Sequence, residues 1–166
     1  MRTVILGASL LGSLILESTV LEYFKVAGVK PDLLLILVVF NALLHGCYHG
    51  AKLGFVFGLV EDVFIGKFIG LNALTKMLTG YLVGMGENKV FKENLLIPVF
   101  GLFTATFLNN ILYVFLAGLA GVERNLAFYV WDVTLPTALY NACLAPLFYG
   151  KFYHSATKGY LRLSRY

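Results

Sequence analysis

The chain has 166 residues, 59% of them hydrophobic and only 13% charged, with a net charge of +4 and a mean hydropathy of +0.81. Soluble domains carry about 25% charged residues, so this composition excludes water as the main solvent, and the length leaves no room for a sizeable soluble domain beside a membrane bundle. In such a chain a basic excess is a topology signal before it is a nucleic-acid signal, and no nucleic-acid partner is expected.

Six apolar segments are predicted, at roughly 4–21, 33–48, 51–66, 71–86, 95–119 and 126–149. The first follows Arg2 as a secretory signal would, but no small-x-small cleavage site follows it, and it is read as a retained helix. Segments two to four fall short of the roughly 20 residues needed to span a bilayer upright. Pro31 opens the second segment and Pro98 sits early in the fifth, where a missing N–H costs little. Pro136 and Pro146 lie inside the sixth and are expected to kink it. The reading is an all-α membrane protein, a six-helix transmembrane bundle over 1–150 followed by a basic cytoplasmic tail over 151–166.

Orientation follows from the basic residues. With both termini on one side, that side gathers Arg2, Lys52, Lys89, Lys92, Lys151, Lys158, Arg162 and Arg165. The other side gathers Lys25, Lys30, Lys67 and Arg124, so both ends are expected in the cytoplasm. In the tail, Lys151, Lys158, Arg162 and Arg165 alternate with Tyr153, Tyr160 and Tyr166, a pattern suited to an anionic lipid surface or to an acidic cytoplasmic partner.

Gly50, Gly54, Gly58 and Asp62 recur every fourth residue, and Asn72, Lys76, Gly80 and Gly84 repeat the spacing in the returning segment. On helices these form stripes without side-chain bulk, which in lipid let two backbones touch. The stripes serve internal helix packing or the docking of another protein's membrane helix. Ala8 and Gly12 offer a third small-residue face on the first helix.

Given that topology, Glu17, Asp62, Lys76 and Asp132 fall in the same outer third of the membrane, with Glu61 beside Asp62. Each is costly facing lipid, so a shared inward cluster is expected, with Lys76 compensating Asp62 or Asp132. Such a cluster either fixes helix register or forms an outward pocket or partner site. Asn41, His45, Asn109, Asn110 and Asn141 form a second polar layer, suited to interhelical hydrogen bonds. His45-x-Cys47-x-His49 lacks further ligands and sits among glycines, so it reads as a turn. Cys47 and Cys143 read as two buried thiols. No nucleophile–base pair, metal set or cofactor motif stands out, and neither enzyme activity nor a cofactor is expected.

Pro31-Asp32-Leu33-Leu34-Leu35, then Gly54-Phe55-x-x-Gly58-Leu59-x-x-Asp62, then Gly70-Leu71-Asn72-Ala73-Leu74, form an ordered series closed by Pro136-x-x-Leu139-Tyr140-Asn141 and Pro146-Leu147-Phe148-Tyr149. The series resembles the MreD family of rod shape-determining proteins. The resemblance implies a non-enzymatic component of the bacterial inner membrane that binds MreC, a bitopic protein, and through it serves MreB and the rod peptidoglycan synthase. It also implies a fold similar to the substrate-binding S components of energy-coupling-factor vitamin transporters, which defines the alternative function. Little aromatic stacking beyond Trp131 and Tyr129 surrounds the expected pocket, which favours the scaffold.

Overall fold

Leu33–His45 is apolar on every side, and at 1.5 Å per residue its 13 residues reach only about 20 Å, too short to cross about 30 Å of hydrocarbon alone. Its place is the centre. In the computed structural model, which describes residues 2–25, 28–64, 68–86, 96–122 and 126–157, this helix touches all five of the others. Six helices and no strand are present among the described residues.

The first, α1, runs Arg2–Ile15, widens into a π turn over Leu16–Val20 and ends at Leu21–Tyr23. The central α2 is Leu33–His45, α3 is Cys47–Phe64, α4 is Leu71–Gly84 and α5 is Leu96–Leu119. The last, α6, begins at Leu126–Tyr129, passes a π turn at Val130–Thr134 and continues over Leu135–Thr157.

A single residue joins α2 to α3. Gly46 has φ +87°, a conformation that side chains rarely adopt, and it turns the chain back at once. The expected turn around His45 and His49 is therefore one residue long, with His49 Nδ1 already bonded to the His45 carbonyl at 3.1 Å on the new helix. The apolar core gathers Leu35, Ile36, Val39, Phe40 and Leu43 of α2 against Leu102, Ala105, Ala145 and Tyr149. Phe40 and Tyr149 meet edge to face with ring centres 5.2 Å apart.

The glycine stripes are spent between α3 and α4. A Cβ on Gly54 would strike the Lys76 carbonyl, one on Gly58 the Asn72 carbonyl, and one on Gly84 the Cys47 backbone. Gly50 and Gly80 lie opposite each other with the same intimacy. Each step of four on one helix meets a step of four on the other, so backbones touch along the whole seam. Gly7 and Gly12 of α1, by contrast, have open space where a Cβ would go, and Ala8 is exposed.

Several details depart from the sequence reading. Pro31 lies just before α2, whose cap is Asp32. Pro136 follows the π turn, where Leu135 N–H reaches the Val130 carbonyl five residues back. A proline cannot donate to the carbonyl four residues before it, and the widened turn makes room for that mismatch. Pro146 sits in the interior of α6, which continues past the expected boundary at 150 to Thr157. Cys143 is exposed and Cys47 half-buried, so the thiols are not core residues. Lys151 falls on α6, while Lys158, Arg162 and Arg165 lie outside the described residues.

Large apolar side chains cover the outside, among them Leu11, Ile15, Phe55, Phe100, Phe115 and Trp131, while Glu17, Asp62, Lys76 and Asn141 are buried. That distribution is inverted relative to a protein dissolved in water. By length and composition, Leu96–Leu119 can cross a membrane, and Ile5–Val20 and Leu33–His45 are shorter apolar helices.

Candidate functional site

Four of the helices bring termini to one end of the bundle, and the site is built from the needs of those termini. A helix leaves its first N–H groups without intrahelical partners. At the start of α2, Asp32 Oδ1 accepts from Leu35 N–H at 2.7 Å, the ordinary work of an aspartate cap. Glu17 reaches in from the π turn of α1, and its Oε1 accepts from Leu33 N–H and, at 3.2 Å, from Leu34 N–H. Two carboxylates thus satisfy three successive donors. The widened turn is what swings Glu17, only 3% exposed, toward α2.

The start of α4 is served in the same manner by the helix before it. Asp62, near the end of α3 and 1% exposed, accepts from Gly70 N–H at 2.8 Å, Asn72 N–H at 3.2 Å and Ala73 N–H at 3.1 Å. The Asn72 side chain adds a fourth bond at 2.8 Å. Gly70 has φ +106°, which brings the loop tightly around the carboxylate and which a residue with a Cβ resists.

Between these two caps lies the ion cluster. Lys76, 1% exposed, sets Nζ against Asp32 Oδ2 and 2.9 Å from Glu61 Oε2. The expected partners of Lys76 were Asp62 or Asp132, and the structure corrects both. Asp62 is turned onto the backbone of α4, and Asp132 is exposed on the π turn of α6. Four backbone and amide donors outbid the lysine for Asp62, and the register of α3 aims its neighbour Glu61 inward instead. The network continues: Asp32 N–H donates to Asn141 Oδ1 at 3.0 Å, Asn141 Nδ2 donates to Thr106 Oγ1 at 3.0 Å, and Thr106 donates to the Leu102 carbonyl at 2.8 Å. Helices α2, α4, α5 and α6 are tied through one lysine, one aspartate and one asparagine. Asn141 therefore belongs to this layer and not to a separate one.

A partly open cleft of about 240 Å³ adjoins the cluster. Its wall includes Glu17, Lys30, Asp32, Glu61, Asn109, Tyr113, Tyr129 and Thr137. Lys30 Nζ donates to the Glu17 carbonyl at 3.2 Å. Among the described residues no three His, Cys, Asp or Glu side chains converge as a metal-binding set. The chemistry available is ion pairing and hydrogen bonding.

Of the sequence-predicted residues, Glu17, Asp62 and Lys76 meet at this end, and Asp132 does not join them. Asp32, named only as part of a motif, Asn72, named in the period-four stripe, and Asn141, placed in a second polar layer, are structural members of the site. Asp32 carried its own signal: an aspartate one residue before a long apolar run is a helix cap, and a cap at the start of α2 stands at the level of Glu17 and Lys76. Asn109 was expected in the second polar layer and lines the cleft, whereas Lys30 gave no comparable sign.

Against known proteins, a family model described as rod shape-determining protein MreD matches residues 1–155. The chain belongs to the MreD family. Neither the curated proteins nor the solved structures return a match. Membership makes this MreD chain a bacterial membrane protein of the rod-shape system, in a family of shape-determining rather than catalytic proteins. The glycine seam, the two carboxylate caps and the lysine cluster are what hold an MreD chain of this sequence together.

Proposed function

We propose that the chain is a non-enzymatic scaffold of the bacterial elongation machinery, crossing the inner membrane six times with both termini in the cytoplasm. It binds an MreC-like bitopic protein and through that partner serves MreB and the rod peptidoglycan synthase. The observation that carries this reading is the MreD match over 1–155, on a helical bundle whose outer surface carries large apolar side chains and which buries Glu17, Asp62 and Lys76.

The seat of the partner follows from what the packing has already consumed. Gly50, Gly54, Gly58, Gly80 and Gly84 are occupied by each other's helices, so they do not receive a partner. Helix α1 leaves Gly7, Ala8 and Gly12 uncovered on a stretch flanked by exposed Leu11 and Ile15. A membrane helix of the partner docks there by close van der Waals contact, the mode available in lipid. The basic tail faces the cytoplasmic leaflet or an acidic partner at its surface.

The test is co-purification in mild detergent from cells that carry the rod system. Tagged protein is expected to bring down an MreC-like protein, and Gly12→Leu to reduce the recovery severalfold without loss of the bundle. Recovery of no bitopic partner from wild-type protein would sink the scaffold reading. Equal recovery with Gly12→Leu would move the seat away from α1.

A further inference from the structure

The glycine seam makes α3 and α4 a single plank, and that plank is shorter than the helix beside it. Thr79 donates to Asn109 Oδ1 at 3.5 Å, which sets the level of α4 against α5. Past Thr79, α4 ends at Gly84, about 8 Å on, whereas from Asn109 α5 reaches back to Leu96, about 20 Å on. At this end of the bundle α5 therefore overhangs α4 by about 12 Å. The turn between α2 and α3 lies on the short side, because Gly84 packs against Gly46 and Cys47. Tilting only shortens the reach of a helix, and backbone contact along the seam keeps the two from sliding apart to gain length.

The outer face of this plank carries a cation. Lys52 of α3 is exposed and makes no hydrogen bond or ion pair with another described residue. Gly50 faces Gly80 and Gly54 faces Lys76, so Lys52 stands level with Leu78 and Thr79, and hence with the middle of α5. Around it Phe55 and Val56 of α3 and Leu78 and Leu82 of α4 are exposed. One turn nearer the Gly46 end, exposed Tyr48 meets exposed Tyr81 edge to face, with ring centres 6.4 Å apart. Neither tyrosine hydroxyl bonds to another described residue. Side chains lean toward the N-terminus of their helix, so the Lys52 stem leans toward these two rings. The acids of α3 offer it nothing, since Glu61 is turned to Lys76 and Asp62 to the start of α4.

We propose that Lys52, Tyr48 and Tyr81 hold the phosphodiester of a membrane phospholipid, and that the leaflet at the Gly46 end is drawn inward along α3 and α4. The inference rests on the reading that both helices cross the membrane. The phosphate takes a charge-assisted hydrogen bond from the ammonium and further bonds from the phenolic hydroxyls. Acyl chains then lie over Phe55, Val56 and Leu78. From Lys52 to Phe64, α3 rises only about 18 Å, against about 30 Å for an ordinary hydrocarbon core. Short chains fit that height. A carboxylate on a partner's membrane helix would also answer Lys52, but it would leave the step between α4 and α5 uncovered.

The experiment is tryptophan quenching by brominated lipids, with full-length protein reconstituted in phosphatidylcholine vesicles. Trp131 is the single tryptophan of the chain, so Trp131→Phe clears the background. Phe55→Trp or Phe115→Trp then sets a reporter on the exposed face of α3 or of α5. The competing quenchers are the dibrominated forms of dimyristoleoyl- and dierucoyl-phosphatidylcholine, one short and one long. At Phe55→Trp the short lipid is expected to be preferred about threefold, and at Phe115→Trp it is expected to have no advantage. Lys52→Leu, which removes the donor and lengthens the apolar face, is expected to bring the first ratio to about one. Tyr48→Phe with Tyr81→Phe, which removes hydroxyls alone, is expected to lower it about twofold. Should Phe55→Trp fail to fold, Leu78→Trp reports on the same face from α4. The same chain-length preference at both reporters, or a ratio that Lys52→Leu leaves unchanged, overturns the proposal. Quenching without such a preference leaves the six crossings standing, whereas no quenching of the α3 reporter by either lipid overturns both.

Discussion

Lys76 stands between Asp32 and Glu61 with 1% of its surface exposed, and the pair of acids has no other cation so placed among the described residues. Removing one partner of a buried ion pair leaves an uncompensated charge, and Lys76→Met is expected to cost about 3–5 kcal/mol. Detergent unfolding of the purified variant followed by circular dichroism checks this. Adding Asp32→Asn and Glu61→Gln to Lys76→Met is expected to recover part of the loss, since the orphaned charges go too. Asp62→Ala works by a different route, stripping the acceptor from three N–H groups at the start of α4, and is expected to cost about 1–2 kcal/mol by the same measurement. That Lys76 had to meet acids at its own level was legible, because a charge in lipid needs company. Which acids it meets was not legible. The choice between Glu61 and Asp62 is a rotation of about 100° on one helix, decided by where Gly70 lets the loop close.

At the level of elements the period of four was the most readable feature of the chain. It marks α3 and α4 as a pair and gives their seam, Gly54 against the Lys76 carbonyl and Gly58 against Asn72. The obstacle a new Cβ would meet there is backbone, which cannot swing aside. Gly54→Ala is therefore expected to destabilise the bundle by about 1–3 kcal/mol. Gly12→Ala, facing open space on α1, is expected to stay within about 0.5 kcal/mol of wild type in the same unfolding assay. Less readable were the π turns at Leu16–Val20 and Val130–Thr134, since one extra residue in a turn leaves almost no trace in an apolar pattern. Only Pro136 hinted at the second. A device repeated in both hairpins also escaped notice: the helix that ends at the site lends a carboxylate, Glu17 or Asp62, to the start of the next. A cap supplied from a neighbouring helix has no fixed spacing, so no local motif announces it.

For the whole molecule, six helices, their order and the inward charges were legible from hydropathy and cost. The centrality of α2 was not, because an all-apolar helix looks the same whether lipid or protein surrounds it. A green-fluorescent reporter fused after Tyr166 is expected to fluoresce, and a phosphatase that works only after export is expected to stay inactive there; the reverse pattern would invert the proposed orientation. The ion cluster also says something about how such a chain is made. Asp32 and Glu61 precede Lys76 in the sequence, and Asn141 follows all three. In the order of synthesis both acids therefore precede the lysine that pairs with them. A chain cut after α3 would keep Asp32 and Glu61 without Lys76, and it is expected to be shorter-lived than the full chain when followed by pulse-chase labelling.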